Sequence, residues 1–428
     1  MKRGLLAATA GAMTLALTLA ACTGSGTQPT TSGTPSESQP IDITMTVWTG
    51  DENVFKAYQE FRADNPELGE LTIQSLPFAE YVAQLTIQLT GGDAPDIGWI
   101  VESTFAAWVD SGALADISSL KADPDWKFDD VLPGLYQDLV GPNGELLAYP
   151  FVNTVHPIIY NKTAFEKAGV ETPLQLFDKG EWTWQNLRRL AKEMVDSGEV
   201  AYGFDIPQFA FTSYNLFNPI AKGFGGVQWP DGNTCGLTSP QLIESFTFLH
   251  DMIFVDKSYA APGSTPNFAS GDTAMISNPP SILAQLADAD FEFEMVAQPK
   301  GAVEYNPFFG QAAIAVFAAG DNPELATRLL GYFTSPRGAE RLSNFYVPAR
   351  SSELTPQMVA NLNPLLTEEM AKRALIDPLE YAKPLPFPVN FPEIESATKP
   401  VLDGLWVENA DIPAVAAAAC AVADPLLK

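Results

Sequence analysis

Residues 79–103, AEYVAQLTIQLTGGDAPDIGWIVES, run an amphipathic helix into an enforced stop and then into a strand. Tyr81, Leu85 and Leu89 recur every four residues and so share one helix face. Gly91 and Gly92 follow, where a left-handed helix cap favours residues without Cβ. Pro95 forbids the helix to resume. Ile97, Gly98, Trp99, Ile100 and Val101 are apolar almost throughout, as a strand covered on both faces would be. A helix feeding such a strand points to an α/β fold, in which ligands sit outside the carboxyl ends of the strands. Trp99 and Glu102 fall at that end. They offer a flat ring and an acceptor to a binding cleft.

The chain has 428 residues, too many for one ordinary core, so two lobes are expected. Hydrophobic content of 46% marks a globular protein. The 52 acidic residues against 24 basic ones leave a net charge of −28, which repels nucleic acid and anionic lipid. Its plainest meaning is solubility. It also disfavours an anionic ligand unless a local basic pocket exists. The two histidines, His156 and His250, and the three cysteines, Cys22, Cys235 and Cys420, have no metal-ligand spacing. No nucleophile elbow or phosphate loop occurs, so hydrolase triads and nucleotide sites lack support. Glycosidases need only two well-placed carboxylates and are not excluded by missing motifs. No cofactor and no metal are implied.

Lys2 and Arg3 open an apolar run that ends at Leu19-Ala20-Ala21-Cys22. The form is that of a secretory signal. Its end resembles the lipobox of bacterial lipoproteins, in which cleavage precedes acylation of the cysteine, here Cys22. A single transmembrane helix is the competing reading, and the small residues before Cys22 fit processing better. Residues 22–40 are mostly Gly, Ser, Thr and Pro and form a flexible tether. An exported body held by lipid at the outer face of the membrane is thus expected.

The folded part begins at Ile41 with a strictly alternating strand that ends at Trp48. Asp51 and Glu52 then start a helix, where Asp51 either caps it or bonds a ligand. Phe78 follows a second strand. Trp108 shares the apolar face of a short helix and reads as core. Asn143-Gly144 turns the chain into the strand pair LLAYPF and VHPIIYN, where His156 reads as a strand residue or, failing that, a hydroxyl contact from the cleft. Thr183 and Ser239 cap helices, and Tyr214 starts another. Trp229 lies between glycines and a Pro-Asp-Gly turn, facing either core or ligand.

Several stretches, in order, resemble one family. They are GGDAPD before a hydrophobic strand, GEL…YP…YNK…AG at residues 144–169, FASGDTAMI at 268–276, NPFFGQ at 306–311 and FYVPARS at 345–351. The likeness is to the solute-binding lipoproteins of ABC sugar importers, the maltose-binding-protein-like group. It implies a two-lobed, type II periplasmic-binding-protein-like fold with mixed sheets, flanking helices and three hinge crossings. By it, residues 41–152 with 311–346 make one lobe, and residues 153–310 with 347–428 the other. It implies a monomer without enzymatic activity that closes on a carbohydrate and hands it to permease subunits. A polyol, peptide or polyamine cargo, or a secreted carbohydrate-active enzyme, remains the alternative.

The site expected from residues and resemblance together is Trp48, Asp51, Glu52, Phe78, Trp99, Glu102, Tyr214, Trp229, Asn278, Phe309 and Phe391. Aromatic rings would cover the C–H face of a sugar, while carboxylates and amides would bind its hydroxyls. Relatives often carry Trp in the loop at 277–281, which this chain lacks. Arg350 reads as a hinge ion-pair partner or a ligand donor. Cys235 and Cys420 either pair or remain two buried thiols.

Overall fold

The computed structural model describes residues 40–48, 51–207, 213–342, 348–383 and 385–427, without the side chains of Asp51, Ala79 and Arg341. The expectations for the signal segment, Cys22, most of the tether and the start of the crossing at 345–351 lie outside the described residues.

Two mixed sheets organise the chain. The first has the order β2-β1-β3-β9-β4, with β1 (Ile41–Val47), β2 (Leu68–Ser75), β3 (Ile97–Val101), β4 (Tyr149–Val155) and β9 (Phe309–Val316). β1 pairs in parallel with β2 and β3, whereas β9 runs antiparallel between β3 and β4. Parallel neighbours need a crossover, and α1 (Asp51–Asp64) and α2 (Phe78–Gly91) supply two. α1 buries Val54, Ala57 and Tyr58, and α2 buries Tyr81 and Leu85. Gly92, at φ 80°, caps α2. The turn acid Asp96 is buried yet satisfied. It accepts from the backbone and hydroxyl of Thr44 at 2.8 and 2.9 Å, and from the Asn322 backbone at 3.1 Å.

The second sheet has the order β6-β7-β5-β8, with β5 (Ile158–Asn161), β6 (Tyr202–Asp205), β7 (Thr273–Ser277) and β8 (Phe293–Val296). Each sheet is the centre of a lobe. The chain changes sheet at His156-Pro157, between β4 and β5, and again over residues 297–308, between β8 and β9. Divisions at 152/153 and 310/311 would cut β4 and β9 internally, because each crossing strand stays in the first sheet to its end. The segment Ala371–Ile376 touches both β4 and β8 and so lies against both sheets.

Thr183 and Ser239 cap their helices through the side chain, and the helix Trp184–Ser197 buries Leu187, Leu190 and Met194. Trp108, Trp182 and Trp184 are core residues. Arg350 is buried in the first lobe, where it donates to the carbonyls of Trp126 and Thr334 and lies 3.9 Å from Glu353. Of its two readings, the structure shows a tie to backbone and a loose ion pair away from the cleft.

Cys235 and Cys420 form a disulfide with Cα atoms 5.5 Å apart, joining the segment before the helix Pro240–Phe254 to the helix Ile412–Ala423. The bond closes a loop of 185 residues, long enough for its loss to cost about 2–5 kcal/mol. Replacing both cysteines by serine is therefore expected to lower the urea midpoint, measured by circular dichroism without reductant, and a reductant that opens the bond should bring the unaltered protein down to the variant.

Candidate functional site

The strand order 2-1-3 reverses direction at the β1/β3 pair, so their carboxyl ends open onto an uncovered crevice. Trp48 leaves the end of β1. Glu102 begins α3 (Glu102–Asp110) directly after β3. A ring series runs from core to rim along this wall. Trp99 is buried, Trp48 lies half-buried 4.8 Å above it, and Phe78 is 5.5 Å beyond at 64% exposure. Tyr81 packs edge-on against Trp48 at 4.9 Å. Its hydroxyl reaches the carbonyls of Thr46 and Trp99 at 3.0 and 2.8 Å and accepts from the Trp99 N–H at 3.1 Å. The platform is thereby fixed to both strands before any ligand arrives.

The cleft has a volume of about 800 Å³. The first lobe lines it with Trp48, Phe78 and Glu102, and the second with Ser213, Asn215, Leu216 and residues 279–281. Its floor is built by β4 (Val152, Thr154), His156 and the opening of β9 (Gly310, Gln311, Ala312) beside Phe308. Phe308 stacks on His156 with ring centres 3.8 Å apart. A Cβ on Gly310 would sit 2.9 Å from that Phe308 ring, so a side chain there would push the ring off its place against His156. The Phe308 N–H donates to Gln298 Oε1 at 2.6 Å, and Gln298 Nε2 donates to Ser277 Oγ at 2.8 Å. Gln311 donates to Asn153 Oδ1 at 3.0 Å and to the Leu135 carbonyl at 2.7 Å. The crossing at 297–308 is thus held by buried hydrogen bonds, and β9 is tied to β4 beside the first.

Glu102 faces Asn215 across the cleft, and the amide donates to its carboxyl at 2.5 Å. Burial pushes the Glu102 carboxyl up to about 7, against the pull of N–H groups from its own backbone and that of Gln311. Burial likewise pushes His156 down to about 3, so the ring is neutral, and its Nδ1 has no hydrogen-bond partner. Among the described lining residues there is no Lys or Arg, and Glu102 is the one carboxylate.

The family of bacterial extracellular solute-binding proteins matches residues 51–340. The chain belongs to that family. This solute-binding protein is 24% identical over 375 residues to the sn-glycerol-3-phosphate-binding periplasmic protein of Escherichia coli K12, covering 81% of this chain and 83% of that one. Its fold is similar to that of an ABC substrate-binding protein from Listeria monocytogenes in complex with cycloalternan. The TM-score is 0.78 at 22% identity, over 91% of this chain and 99% of that chain. It is similar also to maltose-bound MalE3 of T. maritima, with a TM-score of 0.73 at 18% identity, over 90% and 100%. The two-lobed architecture is that of the type II periplasmic binding proteins.

Of the residues expected to form its site, the solute-binding protein brings Trp48, Phe78 and Glu102 to the cleft wall. Trp99 moves from the wall to the layer beneath, because its ring points to the face that Trp48 and Phe151 cover. Tyr214, Trp229 and Phe391 are not at the cleft. They cluster in the core of the second lobe with ring centres 5.2–6.5 Å apart, and the Tyr214 hydroxyl donates to Thr398 at 2.7 Å. Phe309 is buried and Phe308 takes the cleft side, since neighbours in a strand face opposite ways. Asn278 is buried beside the lining Pro279. Glu52 is exposed and pairs with Lys56 at 2.8 Å. The Asp51 side chain lies outside the described residues. Thr154, Ser213, Asn215, Phe308 and Gln311 line the cleft without having stood out in the sequence. Alternation through 308–312 was the available signal for Phe308.

Two outcomes follow from this geometry. Trp99→Ala is expected to destabilise the ligand-free protein by about 3–5 kcal/mol, as measured by urea denaturation. The pH dependence divides by group. Folded Glu102 keeps its proton to about pH 7 and unfolded Glu releases it near 4.5, so its contribution to stability is lost as pH rises through that window. Unfolded His gains a proton below 6.5 and folded His156 does not until about 3, so its contribution is lost as pH falls. Between pH 7 and pH 5, E102Q should lose more stability than the unaltered chain and H156F less. Thermal midpoints across that range check both signs.

Proposed function

We propose that this solute-binding protein captures an uncharged sugar or oligosaccharide between its lobes, closes on it by hinge motion and delivers it to the permease of an ABC transporter. The observation that carries the reading is the make-up of the cleft. Trp48, Phe78 and Phe308 offer apolar ring faces, while Glu102, Thr154, His156, Ser281 and Gln311 offer hydrogen-bonding groups, and no cation accompanies them among the described lining residues. A sugar matches both sets, with C–H faces for the rings and hydroxyls that donate and accept. The relative named for sn-glycerol 3-phosphate poses the rival ligand. Among the described lining residues a phosphate would meet a carboxylate and no guanidinium or ammonium, which favours a neutral cargo. The names of the structural relatives, bound to cycloalternan and to maltose, support the same choice. A glycosidase pair would need two carboxylates flanking the ligand, and this cleft presents one among its described lining residues.

In this reading the cleft closes about the crossings at 156–157 and 297–308 and a third between Leu375 and Phe391, with contacts to both lobes made only in the closed state. The protein acts as a monomer without catalysis. It is exported and held at the outer face of the cell membrane through lipid on Cys22. A polyamine or peptide would want a second carboxylate, or donors and acceptors repeated along the cleft.

A thermal-shift panel of mono- and oligosaccharides, sn-glycerol 3-phosphate and spermidine tests this. A bound sugar at a hundred times its Kd should stabilise by about 2.7 kcal/mol and be recovered uncleaved. Trp48→Ala should weaken that binding by about tenfold or more with a small change in the ligand-free midpoint. Stabilisation by glycerol phosphate alone overturns the neutral-sugar assignment, and a cleaved glycan moves the protein to the enzymes.

A further inference from the structure

Asn215 stands in the first turn of the helix Tyr214–Gly223 and belongs to the second lobe, whereas Glu102 opens α3 in the first. Their side chains meet at 2.5 Å across the cleft. The same carboxyl accepts from its own backbone N–H and from that of Gln311, so protein donors already occupy much of its accepting capacity. Nearby, α3 packs against the helix Phe391–Leu402. The two lobes therefore hold each other by direct contact as well as through the crossings.

We propose that Asn215 is a positioning residue for ligand capture, a donor whose amide latches the second lobe to Glu102 so that the protein itself draws the cleft shut. The proposal rests on the hinge reading above and deepens it. Glu102 then serves first as the catch of this latch and only secondarily as a hydroxyl acceptor. A hydrogen bond to a carboxylate in this enclosed setting is among the stronger kinds, so its removal shifts the balance between open and closed forms by about tenfold or more. Ligand then finds a cleft whose walls are pre-set, and release requires the latch to part.

The test needs no sugar, so it stands apart from the carbohydrate assignment. Small-angle scattering and amide hydrogen exchange are recorded at pH 9 on the ligand-free protein and on N215L, N215Q and N215D. N215L is expected to enlarge the radius of gyration and to speed exchange in the first turn of α3 tenfold or more, with the thermal midpoint within a few degrees. N215Q keeps a donor and should stay near the unaltered protein. N215D sets a second carboxylate against Glu102 and should open the cleft most. If N215D opens the lobes and N215L does not, the hinge stands and the latch is overturned. If neither changes the scattering, the hinge reading fails and takes the latch with it. Equal opening by N215L and N215Q also overturns the latch, because packing and not donation would then be at work.

Discussion

The pairing of β1 with both β2 and β3 in parallel is the constraint from which the site follows. Parallel neighbours cannot be joined by a tight turn, so each connection must climb over the sheet as a helix. Right-handed crossovers carry the chain from β1 outward to β2 by α1, and back past β1 to β3 by α2. The two helices thereby fall on opposite faces, and between them the carboxyl ends of β1 and β3 are left uncovered. Nothing about Trp48 or Glu102 alone makes a binding site. They lie together because the strand order turns between them. Tyr81 fastens this arrangement from α2 by hydrogen-bonding at once to β1 and to β3. A ligand that stacks on Trp48 therefore leans on a surface the fold has already made rigid.

Much of the frame was legible in the residues, because it is written locally. The stop at Gly92-Pro95, the cap at Thr183 and the buried run at 97–101 each depend on a few adjacent side chains. The site was less so, because it depends on facing. Trp48 and Trp99 are both rings on neighbouring parallel strands, but Trp48 follows the end of β1 and meets the cleft while Trp99 sits mid-strand in β3 and meets the core. The distinction lies in depth on one side of the sheet, where Trp48 and Phe151, from a strand about fifty residues on, both lie over Trp99. Phe308 and Phe309 differ by one residue and thus by one face, and a slip of one inverts the reading. Tyr214, Trp229 and Phe391 come together from three distant segments to fill the second core, a convergence that no window of sequence contains. Cys235 and Cys420 were open for the same reason, since only their Cα distance decides pairing.

The charge of the whole and the charge of the site also speak to different things. The chain's excess of acid lies over its surface, where it favours solubility and repels anionic partners. Among the described lining residues of the cleft there is a single carboxylate, and desolvation rather than a neighbouring charge sets its proton affinity. A site of this kind discriminates by the cost of stripping water from charge. An anion gains no counter-charge from the described lining residues, and a neutral polyhydroxy ligand exchanges its water hydrogen bonds for those of the walls. Neutral His156 extends the same logic, as a buried imidazole that keeps its polarity without a charge.

Closure then becomes a question of how much of its free energy the ligand must supply. A ligand shifts an open–closed balance only by the difference between its affinities for the two forms. Where the lobes make no contact of their own, that difference must cover the whole cost of bringing them together. Here α3 meets the helix Phe391–Leu402, and Glu102 meets Asn215, before any ligand contact is counted. Each such contact lowers the share left to the ligand and raises the fraction of protein already competent to hold it. It also slows release, since the same contacts must break for the cargo to leave. A binding protein that must surrender its cargo to a permease cannot let such contacts grow without limit. A single hydrogen bond such as that between Glu102 and Asn215 is a scale of interaction compatible with both capture and release.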